Sequence, residues 1–389
     1  MRRLWTLDPD VVFLNHGSFG ASPAAVLEVQ QRLRARMERQ PVQFFVRDLE
    51  GLLDEARGAL SAFLGLDPED LVFVPNATAG VNAVLRSLPF EPGDELLTTN
   101  HAYNACRNAL VFVAERARAR VMVADVPWPL SSAAAVVDAV LERVTPRTRL
   151  ALLDHVTSPT GLVLPIERLV HELARRGVDT LVDGAHAAGM VALDLRALGA
   201  AYYTGNCHKW LCSPKGAGFL HVRRDRRGLV RPIAISHGAN SPRTDRSRFW
   251  LEFDWTGSDD PTPYLCVPEA IRYLGSLCPG GWVDLRERNR RLALEARRTL
   301  CRALAVPPPC PDAMIGALVA VSLPDGSADS PPSPLYGDPL QDLLLTRFGI
   351  EVPIVPWPLP PKRLVRVSAQ LYNTAADYER LAGALGQIL

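Results

Sequence analysis

From Leu71 to Val222 the chain repeats one pattern, a short apolar run followed by a longer amphipathic stretch. Seven runs read as strands: LVFVPN, DELLTTN, ARVMVADV, RLALLDHV, DTLVDGAH, AAYYTGN and GAGFLHV. Helical patterns separate several of them, at AGVNAVLRSL, AYNACRNALVFVAERAR, SSAAAVVDAVLERV and PIERLVHELARRG. Apolar strands that alternate with helices specify an α/β fold with a mostly parallel sheet, covered on both faces. No other feature of the sequence limits the fold as tightly.

The flanks differ in texture. Before Leu71, two helices are expected at about Pro23–Glu38 and Arg47–Leu64. After about Pro263, the segments PEAIRYLGSL and GWVDLRERNRRLALEARRTLCRAL read as helices. MIGALVAVSL and RLVRVSAQLYN then read as strands, and PLQDLLLTRFG and TAADYERLAGALGQIL as helices, which makes a smaller α+β unit. Between them PDGSADSPPSPLYGD is rich in Pro, Ser and Gly and is expected to be an exposed, mobile loop.

Charge and composition exclude several classes. The 389 residues carry a formal net charge of +1, so nothing electrostatic argues for nucleic acid or an anionic membrane. No run of about eighteen apolar residues is present and the N terminus has no apolar leader core. The seven cysteines form no CxxC pair and no metal-ligand spacing, so free thiols in a reducing cytoplasm and no metal are expected.

Lysine is scarce. Among 43 basic residues only Lys209, Lys215 and Lys362 are lysines, and two of them lie in TGNCHKWLCSPKGAGFL. Arginine stays protonated, whereas a desolvated lysine can lose its proton and react with a carbonyl. Other chemistry-bearing residues fall at strand ends, where open parallel sheets bind ligands. VPNATAGVN follows a strand with small residues and Thr78 and opens a helix, which suits a phosphate or a plain helix cap. LVDGAHAAG ends a strand with Asp183 and adds His186; the acid either meets a cationic partner or caps the next helix. TTNHAYNAC supplies His101 and Tyr103, and DHVTSPTG supplies Thr157, Ser158 and Thr160. In RLVRVSAQLYN, Arg366 points away from Val365 and Val367, toward a carboxylate ligand or toward water. A phosphate cradle, a strand-end acid, a ring-stacking candidate and an unusual lysine together describe a site for pyridoxal 5'-phosphate.

FLNHGSFGASP, NATAGVN, HVTSPTGLVLPI, LVDGAHAAG, GNCHKWLCSPKGAGFL, GSDDPTPYL and VRVSAQLYN together resemble the class V aminotransferases, and among them the isopenicillin N epimerase-like proteins. The resemblance spans nearly the whole chain. It implies the aspartate aminotransferase type of fold. Residues 1–22 would be an N-terminal segment contributing to the active site and small domain, 23–265 a large cofactor-binding domain with a mostly parallel seven-stranded sheet, and 266–389 a C-terminal small domain. It also implies a homodimer with shared active sites, in the cytoplasm, and a place in secondary metabolism.

Carried over position by position, the resemblance implies that Lys209 tethers the cofactor. His208, Asn206, Thr78 and the backbone at Ala77 would contact its phosphate. Asp183 would pair with the pyridine nitrogen, His186 would lie near the phenolic oxygen, and Ser158 stands where desulfurases have Asn. His101 would stack on the ring, with Tyr103 able to take part. Ser258, beside Gly257, would reach the neighbouring subunit's phosphate. Arg366 would hold the substrate α-carboxylate, and Asn15 and His16 would border the substrate. Lys215 would be structural. Phe44, Phe45 and Arg47 are candidates either for specificity or for dimer packing.

One absence is informative. The stretch RFGIEVPIVPWPLPPKRLVRVS has no cysteine where desulfurases carry a nucleophilic one, and Cys301 and Cys310 lie far upstream, so desulfurase activity is not expected. The resemblance leaves α-carbon chemistry on an amino acid or peptide-like amino acid. Epimerisation comes first, C–S lysis second, and transamination or other amino-acid chemistry third. A ligand sensor without turnover is the reading from another class. Such regulators add a helix-turn-helix domain, and the first matching motif here begins near Phe13.

Overall fold

The computed structural model describes residues 1–326 and 338–389. The N-terminal segment contributes a two-residue strand, β1 (Val12–Phe13). The seven apolar runs form β2 (Leu71–Val74), β3 (Glu95–Thr99), β4 (Arg120–Ala124), β5 (Thr148–Asp154), β6 (Asp179–Gly184), β7 (Tyr202–Asn206) and β8 (Gly218–Val222). They make one sheet in the order β2-β8-β7-β6-β5-β3-β4. Strand β8 is antiparallel to both neighbours, and the other pairs are parallel.

Both faces of this sheet are covered. On β5, Leu150 and Leu152 join one apolar cluster while Ala151 and Leu153 join the other. Alternate residues of a strand point to opposite faces, so a continuous apolar run is what a doubly covered sheet requires. Each such leucine contributes about 1.5–3 kcal/mol through its removal from water.

The helices end where the sequence supplies caps. Asn76 accepts from the Ala79 N–H at the start of Ala77–Ser87, and Thr374 with Asp377 forms a capping box at Ala375–Ile388. Glycine permits two close approaches that build the site. A Cβ on Gly80 would lie 2.2 Å from Thr204 Oγ1, so only glycine lets the Ala77–Ser87 helix sit against β7. Gly20, at φ +70°, brings the N-terminal segment onto the backbone at His208 and Lys209, where a Cβ would meet a carbonyl oxygen at 2.2 Å.

The C-terminal part holds β9 (Leu318–Ser322), β10 (Ile350–Glu351), β11 (Ile354–Pro356) and β12 (Arg363–Ser368). A three-stranded antiparallel sheet has the order β11-β12-β9. Strand β1 pairs in parallel with β10, which stitches the N-terminal segment to this part. The Pro/Ser/Gly-rich loop at 324–338 lies largely outside the described residues.

Candidate active site

Five strand ends converge on a cavity of about 420 Å³, lined by Ser18, Phe19, Asn76, Ala77, Thr78, Tyr103, Asp154, Val156, Ser158, Asp183, Ala185, His186, Asn206, His208 and Lys209. Carboxyl ends of parallel strands are where such sheets bind ligands.

Lys209 follows β7, and its Nζ lies 3.0 Å from His186 Nε2. Burial, reinforced by the Arg366 charge, lowers the Lys209 pKa to about 8, although Asp183 opposes this. Burial pushes His186 well below the ordinary histidine value, so its ring is neutral. Trp210 Nε1 donates to His186 Nδ1 at 3.4 Å, which leaves the ring's single proton on Nε2. That proton faces Lys209 Nζ, an arrangement suited to an uncharged amine.

Asp183 stands near the end of β6. Its Oδ1 accepts from the Ala185 N–H at 2.9 Å and its Oδ2 accepts from the Cys106 thiol at 3.1 Å. Burial, with Asp183 beside it, raises the Cys106 pKa well above the usual thiol value, so the thiol stays a neutral donor. Across the sheet, Asn206 Oδ1 accepts from the Ala77 N–H at 2.8 Å and fixes the helix start against β7. His208 Nδ1 donates to the Ala217 carbonyl at 2.7 Å, and burial lowers its pKa to about 4.

Arg366 leaves β12 behind two of the lining serines. Its Nη1 donates to the Ser158 carbonyl at 2.6 Å and to Ser158 Oγ at 3.1 Å, and its Nη2 donates to Ser18 Oγ at 2.8 Å. Ser18 Oγ in turn donates to Asn15 Oδ1 at 2.5 Å, and Asn15 Nδ2 donates to Glu351 Oε1 at 3.0 Å. The residue is 5% exposed, and the partners of its guanidinium among the described residues are these serine hydroxyls and the carbonyl. Burial brings its pKa down to about 10.

Besides Arg366, four expected site residues lie outside the cavity lining. His101 does not line the cavity. It is 1% exposed, its Nε2 donates to the Val126 carbonyl at 3.0 Å, and its Nδ1 accepts from Thr160 Oγ1 at 2.8 Å, with the ring 4.5 Å from that of Trp357. Tyr103, two residues on, supplies the aromatic wall instead. His16 is fully buried beneath the site, where its Nε2 donates to the Lys209 carbonyl at 3.0 Å and its Nδ1 accepts from the Tyr372 hydroxyl at 2.8 Å. It and Asn15 hold the wall from behind, while Ser18 and Phe19 face the cavity. Ser258 is exposed, and its neighbours Gly257 and Asp259 line a separate apolar cavity with Phe45, Trp255 and Ile233. Phe44 is buried and Arg47 is exposed, and neither lines the Lys209 cavity. Lys215 lies outside it as well.

Asp154, Ser18, Phe19 and Asn76 line the cavity but were not singled out from the sequence. Asp154 carried the same signal as Asp183, an acid closing an apolar run. Trp210 carried none beyond its place after Lys209.

The comparisons with known proteins agree with this architecture. The aminotransferase class-V family model matches residues 21–253. The chain belongs to the class V aminotransferase family. It is 39% identical over 397 residues to isopenicillin N epimerase of Amycolatopsis lactamdurans, covering 98% of this chain and 96% of that one. It is 30% identical to a probable chloroplastic L-cysteine desulfhydrase of Arabidopsis thaliana, covering 98% of this chain and 84% of that one. Among solved structures, a C-DES mutant with glycine covalently linked to its PLP cofactor superposes at a TM-score of 0.80 and 22% identity, with 99% of each chain covered.

The residues present fit pyridoxal phosphate. The cavity combines a desolvated amine, a buried carboxylate, a capped helix start with small side chains and a buried polar atom without a partner, Asp154 Oδ1, with Arg366 Nε likewise unpartnered behind its wall. The protein is a pyridoxal-phosphate-dependent enzyme of the isomerase or lyase kind.

Proposed function

We propose that the protein epimerises an amino acid or peptide-like amino acid at its α-carbon. The observation that carries the amino-acid part of this reading is Arg366, a buried cation whose described partners are all neutral. A buried charge without a counter-charge is costly, and a substrate α-carboxylate would supply one. The preference for epimerisation over other outcomes rests on the likeness to isopenicillin N epimerase.

In this reading Lys209 would tether the cofactor, Asp183 would pair with its ring nitrogen, and Tyr103 would stand beside the ring. Thr78 and the helix start at Ala77 would receive the phosphate, with Asn206 fixing that start and His208 alongside, while His186 would lie near the phenolic oxygen. Pyridoxal phosphate, once bound, draws electrons from bonds at the substrate α-carbon. Lys209, with its proton affinity already lowered, moves the α-proton at Nζ. Neutral His186 keeps a hydrogen bond to Nζ without adding charge beside it. Arg366 fixes the carboxylate, and Ser18 and Phe19 close the cavity from the N-terminal segment.

The second reading, C–S lysis, is favoured by the likeness to a desulfhydrase. Incubation with an amino-acid panel in deuterated water separates the two. Solvent deuterium at the α-carbon with inversion supports epimerisation. A keto acid released with a thiol or sulfide replaces it by lysis, and neither deuterium at the α-carbon nor a keto acid from any member of the panel removes both.

The chain is further taken to act as a homodimer. Val42, Val46, Ile233 and Ile235 are 54–73% exposed, Ile233 on the separate apolar cavity and Val46 beside it, which suits packing against a second copy. Phe45 would then belong to that interface, and Ser258 to the neighbouring subunit's phosphate site. The large unit would be residues 23–265 and the small unit 266–389, with 1–22 joining the latter through β1. A cytoplasmic location fits the seven free cysteines, six of them buried. No described helix is long and apolar enough to cross a membrane.

A further inference from the structure

Asp154 closes β5 as Asp183 nearly closes β6, and the two are register partners on adjacent parallel strands. Neighbouring strands lie about 4.8 Å apart, and residues in register point to the same face. Leu150 and Leu152 on β5 and Leu181 on β6 lie in the cluster that also contains Cys106, so both acids emerge on that side. Asp154 is 2% exposed and lines the cofactor cavity, and its Oδ1 has no hydrogen-bond partner. Asp183 is differently placed, since both of its oxygens accept protein hydrogen bonds.

We propose that Asp154 is a positioning acid of the site, paired with Asp183 so that the two carboxyls hold one negative charge, on Asp183, and one proton, on Asp154. Two carboxyls side by side in a buried site do not both ionise. The hydrogen bonds decide which one keeps the charge. Asp183 receives an N–H and a thiol, whereas Asp154 has an oxygen with nothing donating to it. Burial, then the Asp183 charge, raises the Asp154 pKa well above the usual carboxylate value. The N–H groups of Tyr103 and Ser158 and the charge of Lys209 face the same carboxyl and only oppose this. The Cys106 thiol lies beside both carboxyls, and Tyr103 and His186 line the same cavity.

The arrangement has a purpose at each oxygen. Asp183 is left as the single anion for a ring nitrogen. The Asp154 O–H is left as a donor inside the cavity, available to an acceptor on the bound cofactor or substrate. The carboxyl pair stands on the protein alone, while its use toward pyridoxal phosphate rests on the reading above.

Two spectroscopic measurements on wild type and Asp154→Asn test it. Infrared spectra of the protein without cofactor at pH 7 should show a protonated-carboxyl C=O band that shifts in deuterated water and is missing in the variant. Asp154→Ser serves the same comparison if the amide is not tolerated. With cofactor bound, Asp154→Asn exchanges a neutral acid for a neutral amide, so the pKa of the visible absorption should move by less than about 0.3 unit. Loss of a carboxylate from that position would move it by about a unit or more. The proposal is overturned if the two infrared spectra are identical in this region, or if the visible pKa moves by that larger amount. Failure of the protein to take up the cofactor at all would instead count against the functional reading and leave the infrared comparison to decide this one.

Discussion

Arg57 and Arg366 are both buried, and their charges are treated in opposite ways. Arg57, fully buried on the helix Leu49–Leu64, has its charge answered inside the fold. Its Nη2 donates to Asp254 Oδ2 at 2.7 Å, its Nη1 donates to the Leu71 carbonyl at 3.0 Å, and the group stacks 4.2 Å from the Trp250 ring centroid. Arg366 is surrounded by two serine hydroxyls and a carbonyl, and its counter-charge is missing. The difference separates a buried charge that holds elements together from one that waits for a ligand. Arg57 ties the N-terminal helices to the edge strand β2, far from the chemistry. Arg366 ties β12 to the cavity wall through groups a carboxylate can displace.

The comparison breaks most clearly at Arg57. Arg57→Ala leaves half-buried Asp254 with only the longer 3.5 Å contact from Arg246 and should cost about 3–5 kcal/mol in denaturant unfolding, with cofactor binding intact in whatever protein remains folded. Arg366→Leu should do the reverse. We expect kcat/KM to fall about 100- to 1000-fold, which corresponds to about 3–4 kcal/mol of lost transition-state stabilisation, with unfolding midpoints within about 1 kcal/mol of wild type. Equal effects of both substitutions on stability would erase the distinction.

Histidine extends the contrast to pH. Burial lowers His16 to about 3 and His101, His155, His208 and His221 to about 4. Their folded-state values lie below the unfolded value of about 6.5, so the unfolded chain takes up protons first as pH falls. Their contribution is complete above pH 6.5 and is lost on acidification toward pH 4. The slope should approach about 1.4 kcal/mol per pH unit for each residue over that window. Replacing His16, which holds Lys209 from below, should flatten urea-measured stability against pH by about that amount between pH 4 and 6. A parallel curve would show that His16 is not held neutral.

The smallest expected effect is at Ser158. Ser158→Ala removes one of the two hydroxyls on Arg366 but keeps the carbonyl contact. A change of about 0.5–1.5 kcal/mol in substrate binding is expected, read as a rise in KM with kcat nearly constant. A larger fall in kcat would give the hydroxyl a role beyond seating Arg366.

All seven strands of the large sheet were legible in the sequence because each carries a short apolar run bounded by turn residues. Strands β1, β10 and β11 were not, since two or three residues carry no periodicity and form only through pairing with distant segments. In the site, Lys209, Asp183, His186, Asn206, His208, Thr78 and Ser158 could be located because strand ends and a helix start fix where such residues go. The side chains that follow a strand end by a few residues were less readable. His101 and Tyr103 lie in one short turn, and the backbone there decides which of them faces the cavity. His16 carries a ring that the sequence alone places anywhere near the N-terminal loop. Its burial depends on Tyr372, more than 350 positions away.

The account turns on one amine. Borohydride reduction of the purified protein loaded with pyridoxal phosphate, followed by peptide mapping, reads it directly. The fold and the lowered proton affinity of Lys209 predict a single modified peptide containing Lys209 and no label after Lys209→Ala. Label on Lys215 or Lys362, or none at all, would contradict it.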